Sequence, residues 1–481
     1  MRTLQVLRSI LRVGLARLAN KYDWQHEMAR QCQQLGGVYI KFLQMLAVHS
    51  STKHIVEKLG VDTAFEQVSY EYIDVGTELG ALVEHFQFIS AEPFAAGSYG
   101  QVYRATLRDG QDVVIKILRP SLKKTLKADL RLLRLIGRVS SWFMQSSMVD
   151  FYTMAREFSR ATWAETNYRL EAQSGERIRA YYERYGTLVI PRSYMELTTR
   201  TALVQEYVGG VSISALEQKQ SEGFRIDDMV RASVGSDVWT QLQTMGTEML
   251  LATVYADYLM IDPHPGNVRL LPDNKVALLD FGLTARAPTN RSAFAELIHE
   301  MRMLYEDNFR AGSFAVAMLA YFDTELHDAL EHIAQEKSDD YAVSLSGFID
   351  RFVSSQTRQV QLQSYLSDKQ LFQVFTQVLN QGNKLGIRIS EENAFLQRSM
   401  SMFLSVIRSI SDAHVEDVYA PIIRHCLTKV DDEIRTRGIT QSSTHREISP
   451  ERAFEVAANW LAAIAERDRK MYQFITTRRY A

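Results

Sequence analysis

The sequence has little cysteine, no long apolar run and almost no net charge, and each shortage excludes a class of protein. Only two cysteines, Cys32 and Cys426, occur in 481 residues, and they form no CxxC pair. This excludes a disulfide scaffold and a cysteine-based zinc site, and it suits a reducing compartment. We interpret both cysteines as buried residues without a chemical role.

Long apolar runs are also absent. Apolar residues make up 46% of the chain, which is enough for a sizeable core. No stretch, however, reaches the ~18 apolar residues of a membrane-spanning helix. The longest candidate, FAVAMLAYF (314–322), has the length of a core helix. No secretory leader pattern is visible. We expect a cytoplasmic protein without a transmembrane segment, which leaves a peripheral position on a membrane open.

The formal net charge is −2, so we expect no nucleic-acid partner. The charge is uneven, because residues 1–53 contain eight Lys or Arg against two acids, and residues 1–21 contain no acid. Five leucines repeat at helical spacing in this segment and are called the leucine stripe: Leu4, Leu7, Leu11, Leu15 and Leu18. Arg8 and Arg12 lie off the stripe. Three interpretations are open: a helix on an anionic membrane, a helix docked on its own protein through the leucine stripe, and an organellar transit peptide.

Short strand patterns begin after about residue 82. We predict strands over 84–90, 101–107, 112–118, 187–191 and 201–208, with charged helices over 121–186. Asp109-Gly110 is a strong hairpin signal between the second and third of these strands. Beyond residue 208 the pattern is mostly helical, apart from a hairpin formed by 268–271 and 276–280. The polar stretch 440–449 reads as a linker before a last helix.

Two motifs flank that second hairpin. Asp262-Pro-His-Pro-Gly-Asn267 precedes it, and Asp280-Phe281-Gly282 follows it. Phosphoryl transfer requires metal ions on the phosphates and a nucleophile held in line. We predict Asn267 and Asp280 as Mg²⁺ ligands and Asp262 as the residue that orients or deprotonates the attacking hydroxyl or water. Each motif alone is a common turn, but together, at kinase-like spacing, they favour the catalytic interpretation.

A lysine in the first half points to the same chemistry. Lys116 lies inside VVIKIL and matches the kinase pattern V-A-I-K. A lysine flanked by apolar residues on a buried strand requires an anion to pair with its charge, so we predict that Lys116 contacts nucleotide phosphates. Glu171, in AETNYRLEAQ (164–173), is its predicted partner on one charged helix that also carries Glu165 and Asn167. The alternatives are a snorkelling lysine and a solvated helix face.

The loop AAGSYGQV (95–102) is similar to the kinase phosphate loop, with alanine in place of the first glycine. QEYV (205–208) reads as the hinge whose backbone would meet adenine. The predicted nucleotide-binding positions are Ala95, Ala96, Gly97, Ser98, Gly100, Val102, Lys116, Glu206 and Val208. The predicted catalytic residues are Asp262, Lys116 and Glu171.

As an ordered set, these elements resemble the UbiB-type atypical kinase family, which is associated with coenzyme Q and other isoprenoid lipids. LGGVYIKFLQ (35–44) is similar to that family's LGPxxIKxGQ signature. The resemblance runs from about residue 35 to 290. It implies an α+β, bilobal protein kinase-like fold with N-terminal helices over the nucleotide cleft. It also implies a gating element of Lys41, Gln44, Glu165 and Asn167, which stands where a protein substrate would bind.

Three positions depart from the family pattern. Leu43 replaces the glycine of KxGQ, Asn167 replaces the aspartate of E-x-D, and Ser174 replaces a following asparagine. The first two changes fall in the gating element. The phosphate loop differs too, because the family's third alanine is Gly97 here. We expect Gly97 to permit positive φ and a closer approach of the backbone to phosphate.

The resemblance divides the chain into four parts. They are an N-terminal helical extension (1–82), an N-lobe with inserted helices (83–208), a mostly helical C-lobe (209–439), and a linker with a C-terminal helix (440–481). It implies an ATP- and Mg²⁺-dependent atypical kinase or ATPase in isoprenoid-quinone (ubiquinone biosynthesis) or other membrane-lipid metabolism. An isoprenoid lipid or an anionic membrane is the implied partner, and a protein partner or homodimer stays open. The alternative is a nucleotide-binding pseudokinase or scaffold that acts through a partner protein.

Overall fold

The computed structural model describes residues 2–18, 73–97, 99–143, 151–303, 310–336, 391–411 and 416–439, together with short stretches between 27 and 42, at 306 and between 449 and 459. The chain divides into two compact units. Unit 1 comprises Met1–Arg177, Pro191–Val208 and Asp280–Leu283, and unit 2 comprises Ile178–Ile190, Gly209–Leu279 and Thr284–Ala481. The four-part division expected from the sequence is finer than this and stays a prediction.

Unit 1 combines a small sheet with helices. Its helices are α1 (Arg2–Leu18), α2 (Val75–Leu79), α3 (Pro120–Phe143), α4 (Phe151–Glu165) and α5 (Tyr168–Tyr185), the last of which continues into unit 2, and a 3-10 helix spans Gly80–His85. Its strands are β1 (Phe86–Ile89), β2 (Ala95–Ala96), β3 (Gly100–Leu107), β4 (Asp112–Leu118) and β5 (Ala202–Glu206).

The sheet is antiparallel, in the order β1-β3-β4-β5, with β2 paired to β3. The predicted Asp-Gly turn joins β3 to β4: Gly110 has φ 88°, and its N–H donates to the Leu107 carbonyl at 3.0 Å. A positive φ is a conformation that glycine adopts at little cost, so the turn chemistry fixes the register that pairs Val102 with Lys116.

Both faces of this sheet are covered. On one face Val113, Ile115 and Ile117 are fully buried in a cluster with Val204 and other residues. On the other face Leu203 lies in a second cluster that includes residues of α3, α4 and α5. The alternation of buried side chains along β4 and β5 therefore directs Lys116 toward the helix-covered face.

Helix α1 is docked on unit 1, but not through the leucine stripe. Val6 is 1% exposed and belongs to the same cluster as α3 and α4, whereas Leu4, Leu7, Leu11 and Leu15 are 58%, 48%, 65% and 64% exposed. The docked-helix interpretation was right that α1 packs on the protein and wrong about the face. A second face, with Val6 and the buried Ser9, makes the contact and leaves those four leucines exposed.

Unit 2 is mostly helical. Its helices are α6 (Ile213–Ser221), α7 (Ile226–Val234), α8 (Val238–Tyr255), α9 (Arg291–Met303), α10 (Ala311–Phe322), α11 (Thr324–Glu336), α12 (Glu391–Ser409) and α13 (Glu416–Arg437). Its strands are β6 (Val211–Ser212), β7 (Tyr258–Met260), β8 (Val268–Leu270), β9 (Val276–Leu278) and β10 (Thr284–Arg286), paired as β6-β8-β9 and β7-β10.

Helix α8 lies in the core of unit 2 and packs against α13. Asp237 caps its first turn by accepting a hydrogen bond from the Thr240 N–H at 2.7 Å. Gly246 allows a close approach, because a Cβ there would lie 2.6 Å from the Phe403 ring and 2.8 Å from Cys426 Sγ. Cys426 is therefore a buried free cysteine that packs in the core, as expected. Cys32 lies outside the described residues.

The hairpin of β8 and β9 confirms its prediction, with Asp273 and Asn274 at φ 59° and 55° in the turn. The predicted strand 187–191 is wrong. Val189 forms only an isolated parallel bridge with Ala277, and residues 178–190 belong to unit 2 rather than to the first sheet. A short apolar run can be buried either as a strand of a sheet or as an irregular segment packed against another element, so the sequence pattern does not distinguish the two.

The run 314–322 lies in α10, whose buried residues include Ala317, Met318 and Tyr321. Within the described part of the chain, no helix combines the length and apolar character needed to cross a membrane. The predicted linker 440–449 and most of the last helix lie outside the described residues.

Candidate active site

Unit 1 brings three predicted site residues into contact. Lys116 Nζ lies 2.9 Å and 3.2 Å from the two carboxylate oxygens of Glu171 and 3.1 Å from Asp280 Oδ2. Glu171 projects from α5 and is almost fully buried. The predicted pairing of Lys116 with Glu171 is present in the structure, and the alternative of a snorkelling lysine does not describe it. We call these three residues the lysine cluster.

The cluster places one half-buried ammonium between the buried carboxylate of Glu171 and the half-buried carboxylate of Asp280, and the pKa values of all three groups shift accordingly. Burial raises the pKa of Glu171 to about 7, although the Lys116 charge opposes this. Burial is the largest influence on the pKa of Asp280 and acts to raise it, but the Lys116 charge and the hydrogen bonds from the Gly282 N–H and Lys116 together hold that pKa below its usual range. For Lys116, burial acts to lower the pKa, and the charges of Asp280 and Glu171 raise it well above its ordinary value. Lys116 therefore stays charged, and Asp280 stays a carboxylate.

Tyr168, which the sequence analysis missed, forms a wall of the cluster. Its ring centroid lies 5.1 Å from Lys116 Nζ, and its side chain is fully buried. A Cβ on Gly100 would lie 2.7 Å from the Ile117 carbonyl oxygen and closer still to the Tyr168 hydroxyl. Gly100 is thus the loop glycine that the packing requires.

The loop itself is held by its backbone. The Gly97 N–H donates to the Gly100 carbonyl at 2.8 Å, and the guanidinium of Arg119 donates to the Gly97 carbonyl at 3.1 Å and 3.3 Å. Gly97 does not adopt the positive φ that its residue type permits. A Cβ there would meet nothing closer than the Gly100 oxygen at 3.9 Å. Ser98 lies outside the described residues.

Ala95 and Ala96 form β2, where Ala95 pairs with Val102. At the predicted hinge, the Glu206 N–H donates to the Arg192 carbonyl and the Tyr207 N–H to the Asp112 carbonyl, at 2.8 Å and 3.0 Å. These bonds fix the end of β5, which carries Glu206 and leads to Val208. Contact of this segment with adenine stays a prediction.

Part of the predicted gating element is assembled in unit 1. Lys41 Nζ lies 2.8 Å and 2.7 Å from the two oxygens of Glu165, and 4.5 Å from the ring centroid of Tyr99. Tyr99 is fixed in turn by a 3.2 Å hydrogen bond between its hydroxyl and that of Thr162. Gln44 and Leu43 lie outside the described residues. Two of the four residues of the predicted gating element, Lys41 and Glu165, are therefore in contact, and its glutamine is not described.

The segment 164–173 is not one continuous helix, which corrects the sequence interpretation. Helix α4 ends at Glu165 and α5 begins at Tyr168. Asn167 lies between them, and its carbonyl accepts hydrogen bonds from the N–H groups of Leu170 and Glu171 at 3.0 Å and 3.1 Å. Asn167 therefore opens α5, in keeping with the preference of asparagine for helix starts. The break lets Glu165 bind Lys41 while Glu171 binds Lys116.

Unit 2 holds the loop from Asp262 to Asn267. The Asn267 side-chain amide donates to the backbone carbonyl of Asp262 at 3.2 Å, and the Leu279 N–H donates to the Asn267 carbonyl at 3.0 Å. His264 Nδ1 accepts a hydrogen bond from the Gly266 N–H at 3.1 Å. The carboxylate of Asp262 is contacted by Arg398 of α12, 3.2 Å away. The loop is thus internally bonded, with the side chain of Asp262 paired to a cation.

The chemistry of Asp280 suits a magnesium ligand. Its Oδ1 accepts the Gly282 N–H at 2.9 Å, its Oδ2 faces Lys116, and its pKa is lowered, so it offers a charged oxygen. Among the described residues, no three His, Cys, Asp or Glu side chains converge into a metal site made by protein alone. A cation at Asp280 would draw its other ligands from phosphate, water and amide oxygens, as Mg²⁺ does.

The residues that sequence analysis missed act over long sequence distances. Arg119 holds the phosphate loop, Tyr168 borders Lys116, Tyr99 supports Lys41, and Arg398 pairs with Asp262. Arg119 directly follows β4, the strand that carries Lys116, and Tyr99 lies within the loop AAGSYGQV. Their positions beside recognised motifs were a signal that could have found both. Nothing local marked Arg398.

Comparisons with known proteins identify a matching family. Residues 64–310 match the model of the ABC1 atypical kinase-like domain. A chloroplastic Arabidopsis thaliana protein named ACTIVITY OF BC1 COMPLEX KINASE 3 is 31% identical over 223 residues, 46% of this chain and 30% of that protein. An uncharacterized Synechocystis protein is 31% identical over 224 residues, 45% of this chain and 53% of that protein.

A probable protein kinase UbiB of Aliivibrio fischeri is 26% identical over 278 residues, 55% of this chain and 48% of that protein. In these three comparisons the chain spans about half or less of the relative's own length.

The packing at the loop predicts that its two glycines differ. We expect Gly100→Ala to lower the free energy of unfolding by about 1–3 kcal/mol, because the added methyl group meets Tyr168 and a backbone carbonyl. Gly97→Ala, the matched control, should change it by less than about 0.5 kcal/mol. Urea unfolding measures both, and equal effects of the two substitutions would contradict the packing argument.

The raised pKa of Glu171 predicts a pH dependence of stability. Between about pH 4.5 and about pH 7, the unfolded chain has lost the Glu171 proton and the folded chain has kept it. The folded state then binds more protons, so this group makes the free energy of unfolding fall as the pH rises through that window. We expect Glu171→Gln to flatten the fall, and Glu217→Gln, at an exposed position of α6, to leave it unchanged. Urea unfolding across this window tests it, and a Glu171→Gln profile that matches the wild-type profile would show the assignment to be wrong.

Proposed function

Because the chain belongs to the ABC1 atypical kinase-like family, we propose that it binds ATP with Mg²⁺ and transfers or hydrolyses the terminal phosphate as an atypical kinase or ATPase. Family membership supports kinase-like chemistry in general. The nucleotide, the metal and the acceptor are part of the proposal.

The observation that carries the proposal is the lysine cluster. A charged lysine held between the buried carboxylate of Glu171 and the half-buried carboxylate of Asp280 is poised to exchange one anionic partner for another. In the proposed complex, Lys116 contacts nucleotide phosphates while Glu171 keeps it oriented. Asp280, released from Lys116, and Asn267 would hold Mg²⁺, which neutralises charge on the phosphates. The loop from Ala95 to Val102 would supply backbone N–H groups to the phosphates.

Asp262 is the proposed base. As the acceptor oxygen bonds to the terminal phosphorus, the bond from phosphorus to the bridging oxygen of ADP breaks, and the proton of the acceptor passes to Asp262. The acceptor is water or a hydroxyl of a small molecule. The support is the residue type, its five-residue spacing from Asn267, and a side chain that is 24% exposed and so reachable from solvent.

A protein acceptor is less well supported. The ion pair of Lys41 and Glu165 joins the N-terminal part of unit 1 to the end of α4. We expect this contact, from the family resemblance, for a gate that excludes protein substrates. With Leu43 and Asn167 in that element, we propose that the gate has diverged while the core nucleotide residues are kept. A pseudokinase that uses ATP as a structural ligand remains the second candidate, and turnover separates the two.

We place the acceptor or effector among membrane lipids, in isoprenoid-quinone or related metabolism. The leucine stripe of α1 supports this location. Four of its leucines are exposed, Arg8 and Arg12 are exposed beside them, and no acid occurs in residues 1–21. An apolar face flanked by arginines suits a surface of anionic phospholipid.

The nucleotide proposal predicts ligand-induced stabilisation. MgATP at about 100 times its Kd should stabilise the wild-type protein by about 2.7 kcal/mol and raise its Tm. Asp280→Asn should abolish this rise, because it removes the charged metal ligand. Asp228→Asn, on the exposed surface of α7, is the matched control and should keep it. A thermal shift that persists in Asp280→Asn would refute the assignment of Asp280.

The membrane proposal predicts that the leucine stripe drives binding. Replacement of Leu11 and Leu15 together by glutamine should weaken co-sedimentation with vesicles that contain anionic phospholipid by about tenfold or more. Stability should change little, because both side chains are already exposed. Leu135→Gln, at an exposed position of α3, is the control. Equal sedimentation of the double variant and the wild-type protein would exclude the stripe as the membrane contact.

A further inference from the structure

Helix α12 lies outside the segment 64–310 that matches the family, yet it contacts the proposed base. Arg398, in the second turn of α12, donates a hydrogen bond from its guanidinium to Asp262 Oδ2 at 3.2 Å. Both residues belong to unit 2. A residue from beyond the family-matched segment therefore touches the carboxylate on which the proposed reaction depends.

The position of Arg398 is fixed by its neighbours on the helix. Ser399 is buried, and its hydroxyl donates to the backbone carbonyl of Met260 at 3.0 Å, two residues before Asp262. One turn further along, the buried Phe403 covers Gly246 of α8, where even a methyl group would collide with its ring. The helix is thus anchored both to the strand that leads into the catalytic loop and to the core helix of unit 2.

Asp262 is consequently held from two sides. The side-chain amide of Asn267 binds its backbone carbonyl, and Arg398 binds its carboxylate. These two contacts restrict where the carboxylate oxygens point. Since proton transfer requires a base within hydrogen-bond reach of the attacking group, a restricted orientation matters directly to the rate.

Stability does not account for this contact. The Arg398 side chain is 49% exposed, and ion pairs so open to water add little to folding. The buried Ser399 and Phe403 already attach the helix, so the arginine is not needed for that task.

We propose that Arg398 is the positioning residue of Asp262, and that α12 thereby becomes part of the catalytic apparatus. This inference rests on the proposed function, because it takes Asp262 to be the base. It adds that the family-matched segment alone lacks the side chain that orients its own base. The guanidinium offers further N–H donors, so the positioned pair presents both a carboxylate and a cation to the acceptor.

The test is a double-mutant cycle on the full-length protein, with steady-state ATP turnover as the measurement. We expect Arg398→Ala to lower kcat by about 10- to 100-fold, with KM for MgATP and the MgATP-induced thermal shift unchanged. Arg398→Lys, which keeps the charge, should restore part of kcat. Arg408→Ala, at an exposed position of the same helix, is the matched control and should behave like the wild-type protein.

The cycle separates positioning from a structural role. If Arg398 acts through Asp262, adding Arg398→Ala to Asp262→Asn should lower kcat no further than Asp262→Asn alone. Multiplicative losses, or a loss of kcat that is matched by a loss of MgATP binding and of Tm, would overturn the inference.

The cycle also distinguishes this inference from the proposed function. If Asp262→Asn abolishes turnover while Arg398→Ala keeps it, only the positioning role fails. If Asp262→Asn keeps turnover, or the wild-type protein has none, the proposed base and the positioning role fail together.

Discussion

The contact on which the site in unit 1 depends is the pairing of one partly buried lysine ammonium with two carboxylates. A charge that loses much of its water must be paired, so the fold has to bring Lys116, Glu171 and Asp280 together from three separate segments of the chain. The hairpin register fixes Lys116 on β4, the break at Asn167 starts the helix that carries Glu171, and the bond between Asp280 and the Gly282 N–H fixes the third member. With two carboxylates and one ammonium, the cluster carries excess negative charge whenever Glu171 is ionised. This excess favours the arrival of a cation, as the proposed binding of Mg²⁺ together with an anionic nucleotide requires.

Local signals predicted much of this arrangement. The Asp-Gly turn, the alternation along β4 and the apolar strand with one lysine were sufficient to place Lys116, and the motif order was sufficient to select Glu171 as its partner. The contact of Asp280 with Lys116 was not predicted, since Asp280 was selected only as a metal ligand. The strand predicted at 187–191 failed because a short apolar run can pack beside the β8–β9 hairpin of unit 2 as well as it can pair within the sheet of unit 1. The sequence pattern led us to expect that Gly97 was the glycine that matters for the loop. The structure instead requires glycine at position 100, because a Cβ there would collide with Tyr168, which lies far away in sequence. Arg119, Tyr168 and Arg398 could not have been found by pattern, since each acts on a partner that only tertiary packing supplies.

Two segments outside the core motifs extend the account. Helix α1 shows that an amphipathic pattern specifies two faces without saying which is inward. The face with Val6 is buried, and four leucines of the stripe, at positions 4, 7, 11 and 15, are exposed. Helix α12 contributes the cation beside Asp262 and is anchored through Ser399 and Phe403. In both cases, a helix outside the family-matched segment carries a chemical group that this segment does not contain. The chain's particular acceptor and location would then be determined outside that segment.

The central claim is that Lys116 exchanges a carboxylate partner for nucleotide phosphate when Mg²⁺ is present. It is tested most directly by calorimetric titration of ATP into the full-length protein, with Mg²⁺ and with a chelator, beside Lys116→Met. The account predicts saturable binding that requires Mg²⁺ and is lost in the variant. Binding of equal affinity without Mg²⁺, or in Lys116→Met, would contradict it, as would the absence of binding in the wild-type protein.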